Sequence, residues 1–516
     1  MHLPSLRSSI LTALLIMSPL TFGATTAHAF CGFYVAGGES SLFNDATQVV
    51  LMRWGQRTVL SMQNNYQGPP ENFAMVVPVP VVLQEENVKT LPPEIFAKTD
   101  NLSAPRLVEY WEQDPCVPNY YEDGMDMATS AEAGTDSADS DAGGVVVEAQ
   151  FEVGEYEIVI LSTDDATALE TWLTSNDYTI PEGASTHFDP YVQSGSYFFV
   201  AKVKIDEVTI NDGNAVLSPL RFYYDSPTFS LPIKLGLINS EGSQDLIVYT
   251  LGADTRYEVS NRPNVTIPTN IEVINEVRDD FGTFYRTLFA ETIEQNPGAA
   301  VTEYSWSASS CDPCPGPTLN QEDFATFGAD VLDSDEAMWI GWTLTRIHLR
   351  YDASTLGDDL VFSAATPIMG GRESYNNGEL ETGASPGWTN NFQGRYIIRH
   401  RWDGAVECDN PIYGRWGGPD GAESPGAPQP AVSPNTEGAS DSSTTSSSGD
   451  SGGGLPSDQL EDLVYDPIPE LNVEPTSSPT TTTSDTGCTC QSTDTSLLVL
   501  LLAGLFLTTR RRRRYS

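Results

Sequence analysis

Val49-Val50-Leu51-Met52-Arg53-Trp54-Gly55-Gln56-Arg57-Thr58-Val59-Leu60-Ser61-Met62-Gln63 reads as two strands folded back on each other. Val49 to Trp54 and Arg57 to Gln63 are apolar runs joined by Gly55-Gln56, a two-residue turn with glycine where a tight hairpin needs a positive φ. Working outward, Phe73 to Val82 continues extended, and Pro78 and Pro80, which lack amide donors, assign it to a sheet edge. Val145 to Val153 and Tyr156 to Leu161 repeat the hairpin pattern around Gly154-Glu155. Tyr197 to Ile205 sets Phe199, Ala201, Val203 and Ile205 against Lys202 and Lys204. Further strands are expected at Leu220 to Tyr224, Ile233 to Ile238, Asp245 to Leu251, Trp342 to Tyr351 and Arg395 to Trp402. Helices are expected at Pro93 to Lys98, at Ala104 to Gln113, and after Ser162 to Asp165, where Ala166, Leu169, Trp172 and Leu173 share a face. The longest has Ile274, Val277, Phe281, Phe284, Leu288 and Phe289 at three- and four-residue spacing and stops at Asn296-Pro297; another is expected near Asn320 to Leu332. Strand runs mixed with isolated helices, without a βαβ repeat, predict an α+β fold: mainly antiparallel sheet with several packed helices. It occupies Phe30 to Gly418, long enough for two subdomains.

The flanks differ in composition. Arg7, an apolar run from Ile10 to Phe22 and Ala27-His28-Ala29 make residues 1–29 read as a secretory signal peptide, with the mature chain starting at Phe30. Glu122 to Gly144 holds seven acids and no basic residue, too polar to offset its ordering entropy, and reads as a disordered insertion. Its Asp136, Asp139 and Asp141 miss the alternate-residue pattern of a calcium loop. Residues 419–487 are Pro, Ser, Thr and Gly with 12 acids and no Lys or Arg, a disordered stalk whose 69 residues could reach up to about 200 Å. Between Phe30 and Gly487, 20 basic residues face 70 acids, a net charge of −50 that disfavours nucleic acid and anionic membrane as partners.

The last stretch, 488–516, carries Cys488-Thr489-Cys490, an apolar run Leu497 to Leu507 and five arginines, Arg510 to Arg514. Eleven apolar residues make a helix of about 17 Å, short of the roughly 30 Å hydrocarbon core, so the stretch reads as a sorting signal rather than a permanent span. It resembles the C-terminal signals of myxobacterial surface proteins, the MYXO-CTERM type. That resemblance implies processing or lipidation near Cys488 and Cys490 by sorting machinery, and display at the outer membrane or cell surface, anchored through tail or lipid. Within the globular part, Cys31-Gly32-Phe33-Tyr34-Val35, Met62 to Pro69 leading into Phe73 to Pro80, and Cys311-Asp312-Pro313-Cys314-Pro315 occur in order with Gly370-Gly371-Arg372-Glu373 and Arg395 to His400. Together they resemble the DUF2330 family, exported bacterial proteins of unknown function, which supplies no catalytic residue to carry over.

The sharpest local chemistry is Cys311-Asp312-Pro313-Cys314, a CxxC that serves as a structural disulfide, a redox dithiol or, with Cys408 and a histidine, a zinc site. Pro315-Gly316-Pro317 separates it from the next helix and weakens helix-dipole activation of a thiolate. In an exported chain a Cys311 to Cys314 bridge is expected, with one long-range bridge between two of Cys31, Cys116 and Cys408. His187, His348 and His400 fall in no HExxH motif, and no G-x-S-x-G elbow or P-loop is present. Arg395, Arg399, Arg401 and Arg415 crowd near His400, Trp402 and Trp416, as internal ion pairs or as an anion or carbohydrate site. Alternation puts Tyr396, Ile398, His400 and Trp402 on one strand face and the arginines on the other. These features point to an exported binding or structural module for a protein, glycan or small-molecule ligand, with no cofactor or metal implied. The competing expectations are a thiol-disulfide oxidoreductase using Cys311 and Cys314, and an envelope assembly scaffold.

Overall fold

The hairpin that opens the reading extends past its apolar run: Phe43–Trp54 pairs antiparallel with Arg57–Gln67 around Gly55, which sits at φ +57°. The computed structural model describes residues 27–28, 33–35, 43–67, 74–116, 145–176, 178, 183–204, 209–211, 214–239, 242–312, 314–332, 334–372, 375–376, 379–418 and 455–476. All of them belong to one unit, residues 1–478. Most of the expected signal peptide, the acidic insertion and the tail with Leu497 to Leu507 lie outside them; Ala27–His28 pairs parallel with Gln244–Asp245.

Two sheets pack face to face. The large one runs Ser385–Pro386, Ile368–Gly370, Asn391–Gln393, Ala300–Ser307, Trp342–Tyr351, Gln244–Ala253, Phe43–Trp54, Arg57–Gln67, Leu220–Asp225 and Val88–Thr90. The small one runs Phe33–Val35, Ala74–Val79, Tyr197–Val203, Tyr156–Ser162 and Val146–Val153. Pairing is mainly antiparallel, with parallel joins such as Val248 to Val49 in the large sheet. Val49, Leu51, Leu60 and Met62 of the hairpin meet Val77, Phe199, Ala201 and Ile160 of the small sheet between the two. The opposite faces are covered as well: Val50, Met52 and Val59 lie under α1 (Glu94–Ser103) and α5 (Gln321–Phe327). Phe198 and Val200 lie under α2 (Ala166–Ser175) and α3 (Ser185–Gln193). The result is four layers, helix, sheet, sheet, helix. Burial on both faces explains why Val49 to Met52 reads as a continuous apolar run rather than an alternating one.

Several elements depart from their sequence reading. Ala104 to Gln113 is a strand, Arg106–Glu112, paired parallel with Arg395–His400. Pro105 ends the preceding helix, and Leu107, Val108, Tyr110 and Trp111 suit a pleated surface better than their Glu neighbours suggest. Ile233 to Ile238 winds into a 3₁₀ turn, Lys234–Asn239, after Pro232. The longest helix begins later, α4 at Phe281–Gln295, where the Asp280 carboxylate accepts from Thr283 N at 3.1 Å; Asn275–Arg278 is a separate 3₁₀ turn. Ala74–Val79 is the second strand of its sheet, but Phe33–Val35 covers only Ala74 to Val76, so among the described residues Pro78 has a strand partner on one side alone, Phe198.

One part of the expected stalk is corrected, whereas 419–454 and 477–487 lie outside the described residues. Residues 455–476, expected to be tether, fold onto α4 through α6 (Leu460–Leu463) and a 3₁₀ turn at Pro469–Leu471. Leu460, Leu463, Val464, Ile468, Leu471 and Val473 are buried. Tyr465 N donates to Glu272 O at 2.8 Å and Ile274 N to Leu463 O at 3.1 Å, so the segment is stitched to the backbone as well as to the core.

Candidate functional site

Strand register collects tryptophans at one end of the large sheet. Trp54 pairs with Arg57, Trp342 with Ala253 and Trp306 with Asn391, all at strand ends that point the same way. Trp342 is fully buried, donates from Nε1 to Ala337 O at 3.0 Å and lies 6.2 Å from Trp54. Trp339, just before this strand, is 73% exposed, and Trp388, in the turn that precedes Asn391, is 98% exposed. Five of the nine tryptophans thus grade from core to solvent at one end. Met369, cross-strand from Asn391 and Ser385, adds a further exposed apolar side chain. Exposed aromatic groups on an otherwise polar surface mark interaction sites.

Two stretches far apart in sequence meet on Trp306. The Arg372 guanidinium lies 4.8 Å from the Trp306 ring centre, donates from Nη2 to Asp312 Oδ2 at 2.6 Å, and donates from Nη1 to the Asp312 carbonyl. Gly371 turns the chain toward this contact: its φ is +74° and a Cβ there would overlap the Gln393 carbonyl, so glycine is required. Asp312 lies inside the Cys311–Cys314 disulfide loop, with Cys314 exposed and Cys311 half-buried against the core. Helix α5 starts only at Gln321, capped by Asn320, so Cys314 does not open that helix.

The other cysteines and histidines are placed elsewhere. Cys116 is bonded to Cys408, which removes Cys408 as a zinc ligand for the CxxC; Cys31, Cys488 and Cys490 lie outside the described residues. Among the described residues no three His, Cys, Asp or Glu side chains are grouped as metal ligands. His187 is exposed on α3. His400 stacks on Trp111 at 4.6 Å, with Nε2 2.6 Å from Glu109 and 3.3 Å from Arg278. Arg399 and Arg401 each reach Glu272, at 2.6 and 2.7 Å, and lie 5.5 and 4.9 Å from the Trp416 ring centre. The ring that Arg399 and Arg401 meet comes from Trp416–Gly417, which lies in the same sheet beyond the intervening Arg106–Glu112 strand. Arg399 and Arg401 are thus held in internal ion pairs, while Arg395 donates to the Tyr110 hydroxyl and Arg415 to the Asp114 carbonyl beside the Cys116–Cys408 bridge.

Sequence reading missed a buried polar seam between α1 and α4. Arg346 is fully buried and donates from Nε to Glu303 at 2.5 Å, to Asp100, and to the Tyr249 hydroxyl at 2.9 Å. Glu303 also accepts from Tyr285 and lies 2.7 Å from His348 Nδ1; His348 Nε2 is 3.4 Å from Asp245, and its ring stacks on Phe289 at 3.7 Å. Burial pushes the Glu303 carboxyl upward, but His348 and Arg346 outweigh it and hold the group down to about 2. Burial lowers His348, and the Glu303 and Asp245 carboxylates outweigh that and raise it. The one signal in the sequence is that Glu303, Arg346 and His348 sit inside strand segments whose residues are mostly buried. Arg346, Glu303 and His348 are each buried and held by at least one polar partner, although Arg346 Nη2 and His348 Nε2 make no hydrogen bond among the described residues, and the seam is a structural joint between two apolar clusters.

Comparison with known proteins adds a family and little more. No curated protein matches the chain. A solved structure, a mutated baculovirus P35 after caspase cleavage, is 13% identical over 43% of this chain and 70% of its own, with a TM-score of 0.20, too slight a likeness to carry an argument. No described helix is long and apolar enough to cross a membrane. A family profile described as "Uncharacterized protein conserved in bacteria (DUF2330)" matches residues 25–363, which takes in the CxxC loop and stops before Arg372. That match spans well over half of the 516 residues, and the chain therefore belongs to the DUF2330 family.

Proposed function

We propose that the protein is an exported binding module, held at the bacterial outer membrane or cell surface by its C-terminal sorting tail, and that its ligand surface is the tryptophan end of the large sheet. The observation that carries the binding reading is the exposure of Trp388 and Trp339 at the same sheet end as Trp306 and its Arg372 clamp. Leaving two large indoles in water forgoes about 1.5–3 kcal/mol of burial each, a cost that a ligand covering them recovers. The export reading rests on residues 1–29 and 488–516 alone. The test is sedimentation of the purified protein with an envelope fraction from cells lacking it: Trp339→Ala with Trp388→Ala should lower the bound fraction at least tenfold. Equal sedimentation of the variant contradicts the reading.

A second reading, thiol-disulfide exchange at Cys311 and Cys314, is favoured by the exposure of Cys314. Against it stand the acidic Asp312 between the cysteines and the distance in sequence to α5, both of which disfavour a stabilised thiolate. A scaffold role in envelope assembly is separated from glycan or small-molecule binding by whether the sedimentation partner is destroyed by protease.

A further inference from the structure

The Cys311–Cys314 bridge, Asp312, Arg372 and Trp306 form one mechanical unit. The backbone of Arg372 is held independently of the bridge: Gly371 packs so closely that a Cβ would overlap the Gln393 carbonyl, and Arg372 N donates to Glu381 Oε1 at 2.9 Å. The side chain is steered instead by Asp312, which it grips at both carbonyl and carboxylate. Asp312 is in turn positioned by the disulfide that closes its four-residue loop. Its side chain is 73% exposed, and an exposed ion pair to a slack loop holds weakly. The guanidinium therefore stays over Trp306 because the loop is closed.

We propose that Cys311–Cys314 is a redox-modification site that gates the Trp306 face, with a dithiol reductant as its reactant. A reductant thiolate attacks the exposed Cys314 sulfur, the S–S bond breaks, and Cys311 leaves as a thiolate that takes up a proton. The reductant's second thiol then displaces Cys314 from the mixed disulfide, so two electrons pass to the protein, which gains two thiols while the reductant becomes a disulfide. The opened loop releases Asp312, Arg372 swings off, and the indole face is uncovered. In this role the protein is the substrate of exchange, not its catalyst. The inference is independent of the binding reading, because it is read out with no ligand present.

The test follows acrylamide quenching of the Trp306 component, taken as the difference between the full-length protein and its Trp306→Phe variant. The paired change Cys311→Ser and Cys314→Ser leaves Cys116–Cys408 intact and imitates the open loop, while Arg372→Met removes the clamp with the bridge in place. Each should at least double the quenching constant of the Trp306 component, and dithiothreitol should add nothing in either background. Unchanged quenching in the serine pair, or a further rise on reducing Arg372→Met, overturns the proposal. If the serine pair does not fold, the parent decides: reduction verified at both cysteines by alkylation and mass spectrometry, with Trp306 quenching unmoved, overturns it too.

Discussion

At Glu303 one carboxylate joins three elements: its own strand, the Trp342–Tyr351 strand through Arg346 and His348, and α4 through Tyr285. Removing its charge leaves the buried Arg346 with Asp100 as its one remaining ion-pair partner among the described residues, and breaking a buried pair from one side typically costs about 3–5 kcal/mol. We predict a loss of that size for Glu303→Gln by chaotrope unfolding; a loss under about 1 kcal/mol would show that the seam is solvated. Acidity has a sign at this joint. His348 is raised above its ordinary 6.5, so its stabilisation is full below about pH 6.5 and fades as pH rises through the raised value. Glu303 is depressed from 4.5 to about 2, so its contribution is full above about pH 4.5 and is lost as pH falls toward 2. The melting temperature should therefore be highest between about pH 4.5 and 6.5, and His348→Asn should flatten the alkaline side; identical alkaline slopes for both proteins would contradict it. The pairing was not legible in sequence, because a charged residue within a strand segment does not name its partner. Glu303 and Arg346 are 43 residues apart and meet only through strand pairing.

The elements that sequence read well are those whose local pattern and tertiary role agree. The Gly55-Gln56 and Gly154-Glu155 hairpins carry their own turn geometry, with both glycines at positive φ. Ala104 to Gln113 failed because its partner strand, Arg395–His400, lies nearly three hundred residues away and overrides local helix propensity. Residues 455–476 failed for another reason: their leucines and valines were averaged into a long polar stretch, and the surface they bury against, built around α4 and Ile271 to Val277, is remote in sequence. Leu463→Ala should cost about 2–5 kcal/mol at this contact, seen as faster amide exchange across 455–476 before the sandwich opens. Exchange rising equally everywhere would mean that the segment and the sandwich unfold as one. Gly371→Ala, strained in φ and blocked by Gln393, should destabilise by more than about 1 kcal/mol, whereas Gly55→Ala, strained but unblocked, should cost less.

For the molecule as a whole, the docked segment divides the expected stalk. Of the stretch expected to be stalk, only 477–487 separate the docked segment 455–476 from Cys488. If the protein is displayed as proposed, protease acting on intact cells should cut within 419–454 yet leave the sandwich attached, because 455–476 still grips α4. Release should follow only when Leu463→Ala loosens that grip, and complete protection from protease would argue against surface display. The candidate binding surface was half visible in sequence: CxxC and Gly-Gly-Arg stood out as motifs, but their meeting on Trp306 needed the register of three strands. The most direct measurement of the central claim is site-specific photo-crosslinking on intact cells from position 388, with the exposed but remote Val146 as control. Crosslinking to one envelope component from 388 alone, abolished by Trp339→Ala, is the predicted result. Equal yields from 388 and 146, or none from either, would contradict the tryptophan end as the ligand surface.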